Sequence, residues 1–419
     1  MKNIVVIGGG FGGLWSAVGA ARKLDELGVG VGAGQVRITL IEKNDFHSIR
    51  VRNYEEDLSV TIVPLKKVLG PIGVAHLQAE VTGVDLQKQQ VHVKTVQGVQ
   101  DVPYDRLVYA LGSHVKHPPV PGLKEHSFDV DTYFGARKLE SHLKSLSGDT
   151  SRGDEKYTVL VVGAGLTGIE IATGLTERLD GMVGASQHGK KARVILADGR
   201  NIGSNMGDQA CKVIDEALAD MKIETRPNIV LKSVDAQGVT LADGERISTA
   251  TVIWCGGMQA DGLGASFPVE RDHFGRVPVD EYLRVKGVQH VFAAGDVANS
   301  IVCAGHGSVM SCQHGRPMGR YAGHNVAADL MGKPLLPMEI DWYTTILDLG
   351  PWGAVYTEGW DRHVVSTREA AKQTKRTING HRIYPPLTES REEILAAAAP
   401  LIQAPPATDR AAGAAVPTC

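Results

Sequence analysis

Two glycine fingerprints, each set between an apolar run and a helix-like stretch, constrain this chain more than any other feature. The first, Gly8-Gly9-Gly10-Phe11-Gly12-Gly13, follows Ile4-Val5-Val6-Ile7. The second, Gly163-Ala164-Gly165-Leu166-Thr167-Gly168, follows Val159-Leu160-Val161-Val162. Each reads as a buried strand, a tight glycine turn and a helix. The first glycine makes the turn, the second lets the backbone approach a pyrophosphate, and the third lets helix pack on strand. The helix N-terminus adds free N–H groups and a partial positive charge for the phosphates. One fingerprint is a weak signal. Two in 419 residues, both in strand–helix context, predict two dinucleotide sites with electrons passing between them.

A carboxylate is expected at the end of the second strand of each unit, where it takes the adenosine ribose hydroxyls. Glu42, followed by Lys43, ends Val36–Ile41. It lies further from Gly13 than the usual twenty or so residues, and the connector Gly28–Gly34 accounts for the excess. Asp198 ends Arg193–Ala197 in the same way. A carboxylate there disfavours a 2′-phosphate, so NADH is favoured over NADPH, with Arg200 close enough to blur the preference.

The remaining segments follow the same plan. Alternation in Val91–Val96, with a Gln97-Gly98 turn, predicts an antiparallel meander. Tyr104–Ser113 returns to a buried strand that ends on Gly112, and the prolines of Lys116–Gly122 mark a crossover linker. The polar stretch 145–156 reads as exposed. Val239–Gly244 is a hairpin signal, and Thr251–Gly257 is a strand running into a glycine turn. Val291–Ala298 then carries Gly295-Asp296, a turn that offers one carboxylate beside backbone amides and suits a polyol. The fold expected is α/β: two doubly wound Rossmann-like dinucleotide-binding domains with a C-terminal α+β cap. Their expected bounds are 1–115 with 285–335, then 116–284, then 336–419 with a low-complexity tail.

Composition sets limits. Hydrophobic residues at 43% and charged residues at 22% belong to an ordinary globular protein, and 49 glycines suit repeated nucleotide-binding turns. A net charge of −3 gives nucleic acid no electrostatic claim. The folding pattern starts at Lys2 without room for a signal peptide, and no apolar run is long enough to span a membrane. Five cysteines lack the spacing of a disulfide framework, so a reducing, cytoplasmic setting is expected. No C-x2-C or H-x3-H cluster predicts a metal.

Together, Gly8–Gly13, Tyr104–Ser113, Gly163–Gly168 with Glu170, Thr251–Gly257 and Phe292–Asp296 resemble the two-dinucleotide-binding flavoproteins, which include the pyridine nucleotide–disulfide oxidoreductases. Within that superfamily, Gly163–Glu170, Val252–Gly257 and Asp348–Val355 look most like type II NADH dehydrogenases, the NADH:quinone oxidoreductases. The resemblance implies FAD held by Gly8, Gly10, Gly13, Glu42 and Asp296, with Phe11, Gly12, Lys43, Gly112 and Gly295 beside them. It implies NADH held by Gly163, Gly165, Gly168 and Asp198. The implied reaction passes hydride from NADH to FAD and then two electrons to a quinone-like acceptor, with Glu170 near the two rings as a proton relay.

Departures from that family bear on the acceptor. Its quinone reductases carry A-Q-x-A-x-Q-Q before a glycine, whereas this chain has Ser308-Val309-Met310-Ser311-Cys312-Gln313-His314-Gly315. Only Gln313 matches; Val309 and His314 replace the other glutamines. Gln313 and His314 are the candidates for the acceptor face, His314 as a donor near neutral pH. His306 and His324 have no motif to support them. Trp342, Trp352 and Trp360 read either as pocket walls or as core. No cysteine precedes Cys211, which excludes a C-x4-C disulfide at the flavin face; Cys303 and Cys312 read chiefly as small core residues, with a redox pair as the alternative. The family's membrane-lying terminal helices have no clear counterpart, since Ile394–Ile402 is short and broken by Pro400. Three readings therefore stand: a quinone-type reductase, with peripheral contact at the inner face of the membrane left open; a reductase of the same fold serving a small organic substrate or an electron-carrier protein; and a non-catalytic NADH sensor, against which the intact fingerprints argue. A homodimer is left open.

Overall fold

Ile4, Val5, Val6 and Ile7 are all buried, and a run apolar on both faces fits a strand covered on both sides. The computed structural model describes residues 1–406 apart from 33, 147, 149–152, 186–191 and 304. In it Lys2–Ile7 is the middle strand of a five-stranded parallel sheet ordered Val291–Ala293, Arg106–Tyr109, Lys2–Ile7, Val36–Glu42, Ala75–Gln78. A second parallel sheet runs Glu224–Arg226, Arg193–Ala197, Thr158–Val162, Thr251–Trp254. Each sheet is accompanied by a three-stranded antiparallel meander, at residues 80–103 and 231–248 respectively. The fold class is the expected one: two doubly wound units and a C-terminal α+β unit.

Glycine runs turn each sheet's first strand into a helix, α1 (Phe11–Glu26) in the first unit and α2 (Leu166–Ala185) in the second. After the strand Val291–Ala293 comes α3 (Cys312–Leu330), which lies along α1. A Cβ on Gly319 would stand 2.5 Å from the Gly12 carbonyl oxygen, and one on Gly323 2.3 Å from that of Ser16. The two helices therefore touch backbone to backbone, which locks the first fingerprint to residues three hundred positions later in the chain.

Residues from the segment between the two parallel sheets' last strands also contribute to the first core. Ala260, Phe267, Val277, Val279 and Leu283 belong to the first core. The C-terminal unit is also shared between the two cores. Its antiparallel sheet, Thr344–Asp348, Ala354–Glu358 and His363–Thr367, sends Leu347, Leu349 and Val355 into the second core. Helix α4 (Arg368–Thr377) follows, then a π turn at Ile378–Arg382 and α5 (Arg391–Ala397). Ile383, Ile394, Leu395 and Ala398 join the first core, so the apolar stretch around Ile394 packs on the body. Part of 145–156 and all of the tail from 407 to 419 lie outside the described residues. Among the described residues no helix is long and apolar enough to cross a membrane.

Candidate active site

The two fingerprints fold into matching cradles. Gly8 has φ +99° and Gly163 φ +107°, conformations that L side chains rarely adopt. A Cβ on Gly13 would sit 1.8 Å from the Gly8 carbonyl oxygen, and one on Gly168 1.7 Å from that of Gly163. The middle glycines differ: a Cβ on Gly10 or Gly165 would meet nothing within 4 Å. That open space above a helix N-terminus is what a pyrophosphate needs. The carboxylates repeat as well. Glu42 Oε2 accepts the Gly9 N–H at 2.7 Å, and Asp198 Oδ2 accepts the Ala164 N–H at 2.6 Å. Each carboxylate thus braces its loop from the strand end where an adenosine ribose would lie, and Lys43 is exposed just beyond.

The Gly-Asp turn closes on the first cradle. A Cβ on Gly12 would stand 2.7 Å from the Ala294 carbonyl oxygen, so the fingerprint and Gly295 are in close approach. Phe11 packs edge-on against His47 at 4.8 Å. Asp296 Oδ2 accepts the Ser113 hydroxyl at 2.6 Å, just past the turn at Gly112, and Arg50 lies 3.6 Å away. One carboxylate flanked by a hydroxyl, a guanidinium and open backbone suits a polyol-phosphate chain. On this geometry the first cradle fits FAD and the second fits a nicotinamide dinucleotide.

Between the domains lies a cavity of about 280 Å3, lined by Leu166, Thr167 and Glu170 of α2, Cys312 and Gln313 of α3, and Trp342, Thr344 and Lys375 of the C-terminal unit. Glu170, expected from its place in the second fingerprint helix, is buried and ion-paired with Lys375 at 2.6 Å. Burial pushes the Glu170 carboxyl up, and the Lys375 ammonium offsets only part of that. For Lys375 burial opposes the charge, but the Glu170 carboxylate outweighs it and holds the ammonium above its usual range. The pair extends outward: the Asp348 N–H donates to Glu170 at 3.1 Å, Tyr54 Oη donates to Asp348 at 3.2 Å, and Lys372 Nζ reaches Asp348 at 2.5 Å. Tyr54 and Lys375 also border an open cleft of about 980 Å3 that includes Lys372 and Asp348. Polar groups thus connect cavity to cleft.

Gln313 accepts a hydrogen bond from Thr344 Oγ1 at 3.4 Å, while its Nε2 is buried and without a partner among the described residues. Next to it, His314 is fully buried and does not line the cavity. Its Nδ1 accepts the Val309 N–H at 2.9 Å, and burial lowers its pKa to about 4. The imidazole is therefore neutral at pH 7, with its hydrogen on Nε2, and it is not among the residues that line the cavity. His324 is buried too, its pKa likewise lowered to about 4, and His306 stacks on Trp360 at 4.2 Å, which in turn stacks on Tyr343. Cys312 is a free thiol pushed up by burial, so it does not pair with Cys303, which sits in the first core. Among the described residues there is no metal-binding cluster.

The buried histidines make stability depend on pH. His47 and His314 both have folded pKa values of about 4, lowered chiefly by burial from 6.5. Between these values the unfolded chain binds protons that the folded chain refuses. Each contribution is complete above pH 6.5 and is lost as pH falls toward 4, at about 3 kcal/mol per histidine. Thermal unfolding followed from pH 8 down to 4 should show the midpoint falling steeply below 6.5; a flat profile would contradict both assignments.

The cavity wall also includes Arg316, Arg320 and Asn379, and these three together with Lys375 were not singled out from the sequence. In α4 the structure buries Ala371 and Lys375, one turn apart, so this lysine occupies a core-facing position. Arg316 and Arg320 follow Cys312 at four-residue spacing, one stripe of α3. Asn379 depends on a π turn, a local irregularity frequent at functional sites and without a periodic signature.

Two dinucleotide cradles, with a cavity holding a buried Glu170–Lys375 pair beside the helix of the second, define a flavin-linked pyridine-nucleotide oxidoreductase. Residues 2–319 match the pyridine nucleotide-disulphide oxidoreductase family, and the chain belongs to it. It is 54% identical to an NADH dehydrogenase-like protein of Mycobacterium tuberculosis over 97% of this chain and 100% of that one. It is 26% identical to the type II NADH:quinone oxidoreductase of Staphylococcus aureus over 83% and 88% of the respective chains. Among solved structures, NDH2 of Plasmodium falciparum with NADH superimposes with a TM-score of 0.74 at 13% identity, covering 94% of this chain and 97% of that one; this shows the shared fold. The chain is accordingly an NADH-type oxidoreductase, with FAD and NADH as its cofactors.

Proposed function

We propose that this chain passes hydride from NADH to FAD and then two electrons to a quinone-like acceptor seated in the 280 Å3 cavity. The observation that carries this reading is the buried Glu170–Lys375 pair beside the unpartnered Gln313 amide, in a cavity reached by the second fingerprint helix and by α3. The names of two relatives support it: the Staphylococcus aureus NADH:quinone oxidoreductase, and a demethylphylloquinone reductase of Synechocystis that is 29% identical over 84% of this chain and 86% of that one.

The roles follow from position. Gly8, Gly10, Gly12 and Gly13 receive the FAD pyrophosphate, Glu42 with Lys43 the adenosine end, and Gly112, Gly295 and Asp296 the ribityl chain, with Phe11 beside them. Gly163, Gly165 and Gly168 receive NADH, and Asp198 favours its free 2′-hydroxyl over a phosphate. Bound FAD supplies the two-electron relay between hydride donor and acceptor. Gln313 Nε2 donates to an acceptor carbonyl oxygen. Glu170 and Lys375 hold the proton that this oxygen takes up on reduction, and Asp348 and Lys372 restore it from the open cleft. Leu166, Trp342 and Ile346 give the cavity apolar walls.

Anaerobic titration of the FAD-loaded protein with NADH is expected to bleach the flavin band stoichiometrically, and a short-chain quinone to restore it. A flavin that stays oxidised with NADH and NADPH alike removes the reductase reading. A reduced flavin that no quinone reoxidises removes the acceptor.

A further inference from the structure

One end of the acceptor cavity has an unbalanced charge. Arg316 and Arg320, one turn apart on α3, both line it, and Arg382 of the π turn lines it with them. Arg316 is 7% and Arg320 4% exposed. Neither makes a hydrogen bond or ion pair among the described residues, and the Nε atom of each is buried without a partner. Their packing partner is the face of Trp15, at 5.5 Å and 4.5 Å from the ring centre. Such a contact offsets only part of the desolvation of a guanidinium.

The charged neighbours make matters worse, because they are the arginines themselves. Arg382 presses on both Arg316 and Arg320, and Arg316 on Arg320. Burial lowers Arg316 to about 10 and Arg320 to about 9, which leaves both protonated at neutral pH. Arg382 donates to the Ala404 carbonyl, where residues 401–406 cover the cavity with Leu401, Ile402 and Pro406. The carboxylate that does line the cavity, Glu170, is already committed to Lys375.

We propose that the acceptor carries an anionic group, a carboxylate or similar oxyanion on an aromatic quinone-like ring, and that Arg316 and Arg320 receive it. The inference rests on the reading of this cavity as the acceptor site. Gln313 and Lys375 lie at the reacting end, and the stripe Cys312, Arg316, Arg320 leads away from it along one face of α3. A flat ring at Gln313 would place a ring substituent toward the arginines, and the forked guanidinium is suited to a planar carboxylate. A wholly neutral isoprenoid quinone would leave both cations uncompensated.

The test uses a redox-inert matched pair, 2-naphthoate and 2-naphthamide, titrated into the FAD-loaded protein by calorimetry. Naphthoate is expected to bind about tenfold or more tighter, as expected for a charge-assisted hydrogen bond. That preference should vanish in Arg320→Met and partly return in Arg320→Lys, with retained FAD reporting a folded site. Equal binding of the two probes to the unaltered protein overturns the proposal, as does a preference that survives both Arg320→Met and Arg316→Met. Inorganic phosphate binding as tightly as naphthoate overturns it too, since the anion would then be a free ion. Turnover with 1,2-naphthoquinone and its 4-sulfonate separates the two levels: if neither is reduced, the acceptor-site reading fails, whereas equal use of both removes only the charge preference.

Discussion

Lys375→Met is expected to destabilise the protein by about 3–5 kcal/mol, because it leaves the Glu170 carboxylate buried without a counter-ion. Turnover with a quinone should fall about a hundredfold, the ordinary scale for losing a positioned proton donor. Both members of the pair have side chains only 8% exposed, so little solvent screens the carboxylate that remains. The double variant Glu170→Gln with Lys375→Met distinguishes the two effects. It has no lone charge and should regain most of the lost stability, while turnover stays low. Chemical denaturation of the two variants and the parent checks the first half, and steady-state rates check the second. A double variant as unstable as Lys375→Met would show that the lysine matters for packing rather than for pairing.

Gly168→Val should abolish use of NADH while the protein keeps its FAD. The new Cβ would stand 1.7 Å from the Gly163 carbonyl oxygen, backbone that cannot give way without opening the second fingerprint. A loss of a thousandfold or more in kcat/KM for NADH is expected, equivalent to about 4 kcal/mol. The first fingerprint belongs to a separate core and should be spared. Gly165→Ala provides the contrast. Its Cβ meets nothing within 4 Å, so the fold accepts it, and any weakening of NADH binding comes from contact with the nucleotide itself. Melting temperature and an NADH titration, measured on both, separate a broken loop from an obstructed one. If Gly168→Val binds NADH normally, the second cradle is misassigned.

The parts legible in the sequence are those dictated by local physics. A strand buried on both faces is apolar throughout, and the glycines that follow it are required within a few residues, so both sheets and both cradles could be read directly. Residues 260–283 were harder. Phe267, Val277, Val279 and Leu283 reach the first core from short irregular segments, which carry no periodic signal in the sequence. The site divided in the same way. Glu170 and Gln313 stood in motifs. Lys375, which completes Glu170, is 205 positions away in sequence, and nothing local points across that distance. His314 illustrates a property that residue type alone does not carry: its complete burial, which lowers its pKa to about 4, comes from elements distant in the chain.

The backbone contact between α1 and α3 has a consequence for biogenesis. The opening helix of the chain finds its packing partner only after Cys312–Leu330 has been made, and part of its remaining cover only with α5. At a synthesis rate of about 5–20 residues per second, the first helix waits roughly 15–60 s on the ribosome for α3. The second nucleotide unit, contiguous from Thr158 to Trp254, can close its sheet during that interval. Assembly should therefore run from the middle of the chain outward, leaving the nascent N-terminal third as a client for chaperones until the final hundred residues emerge.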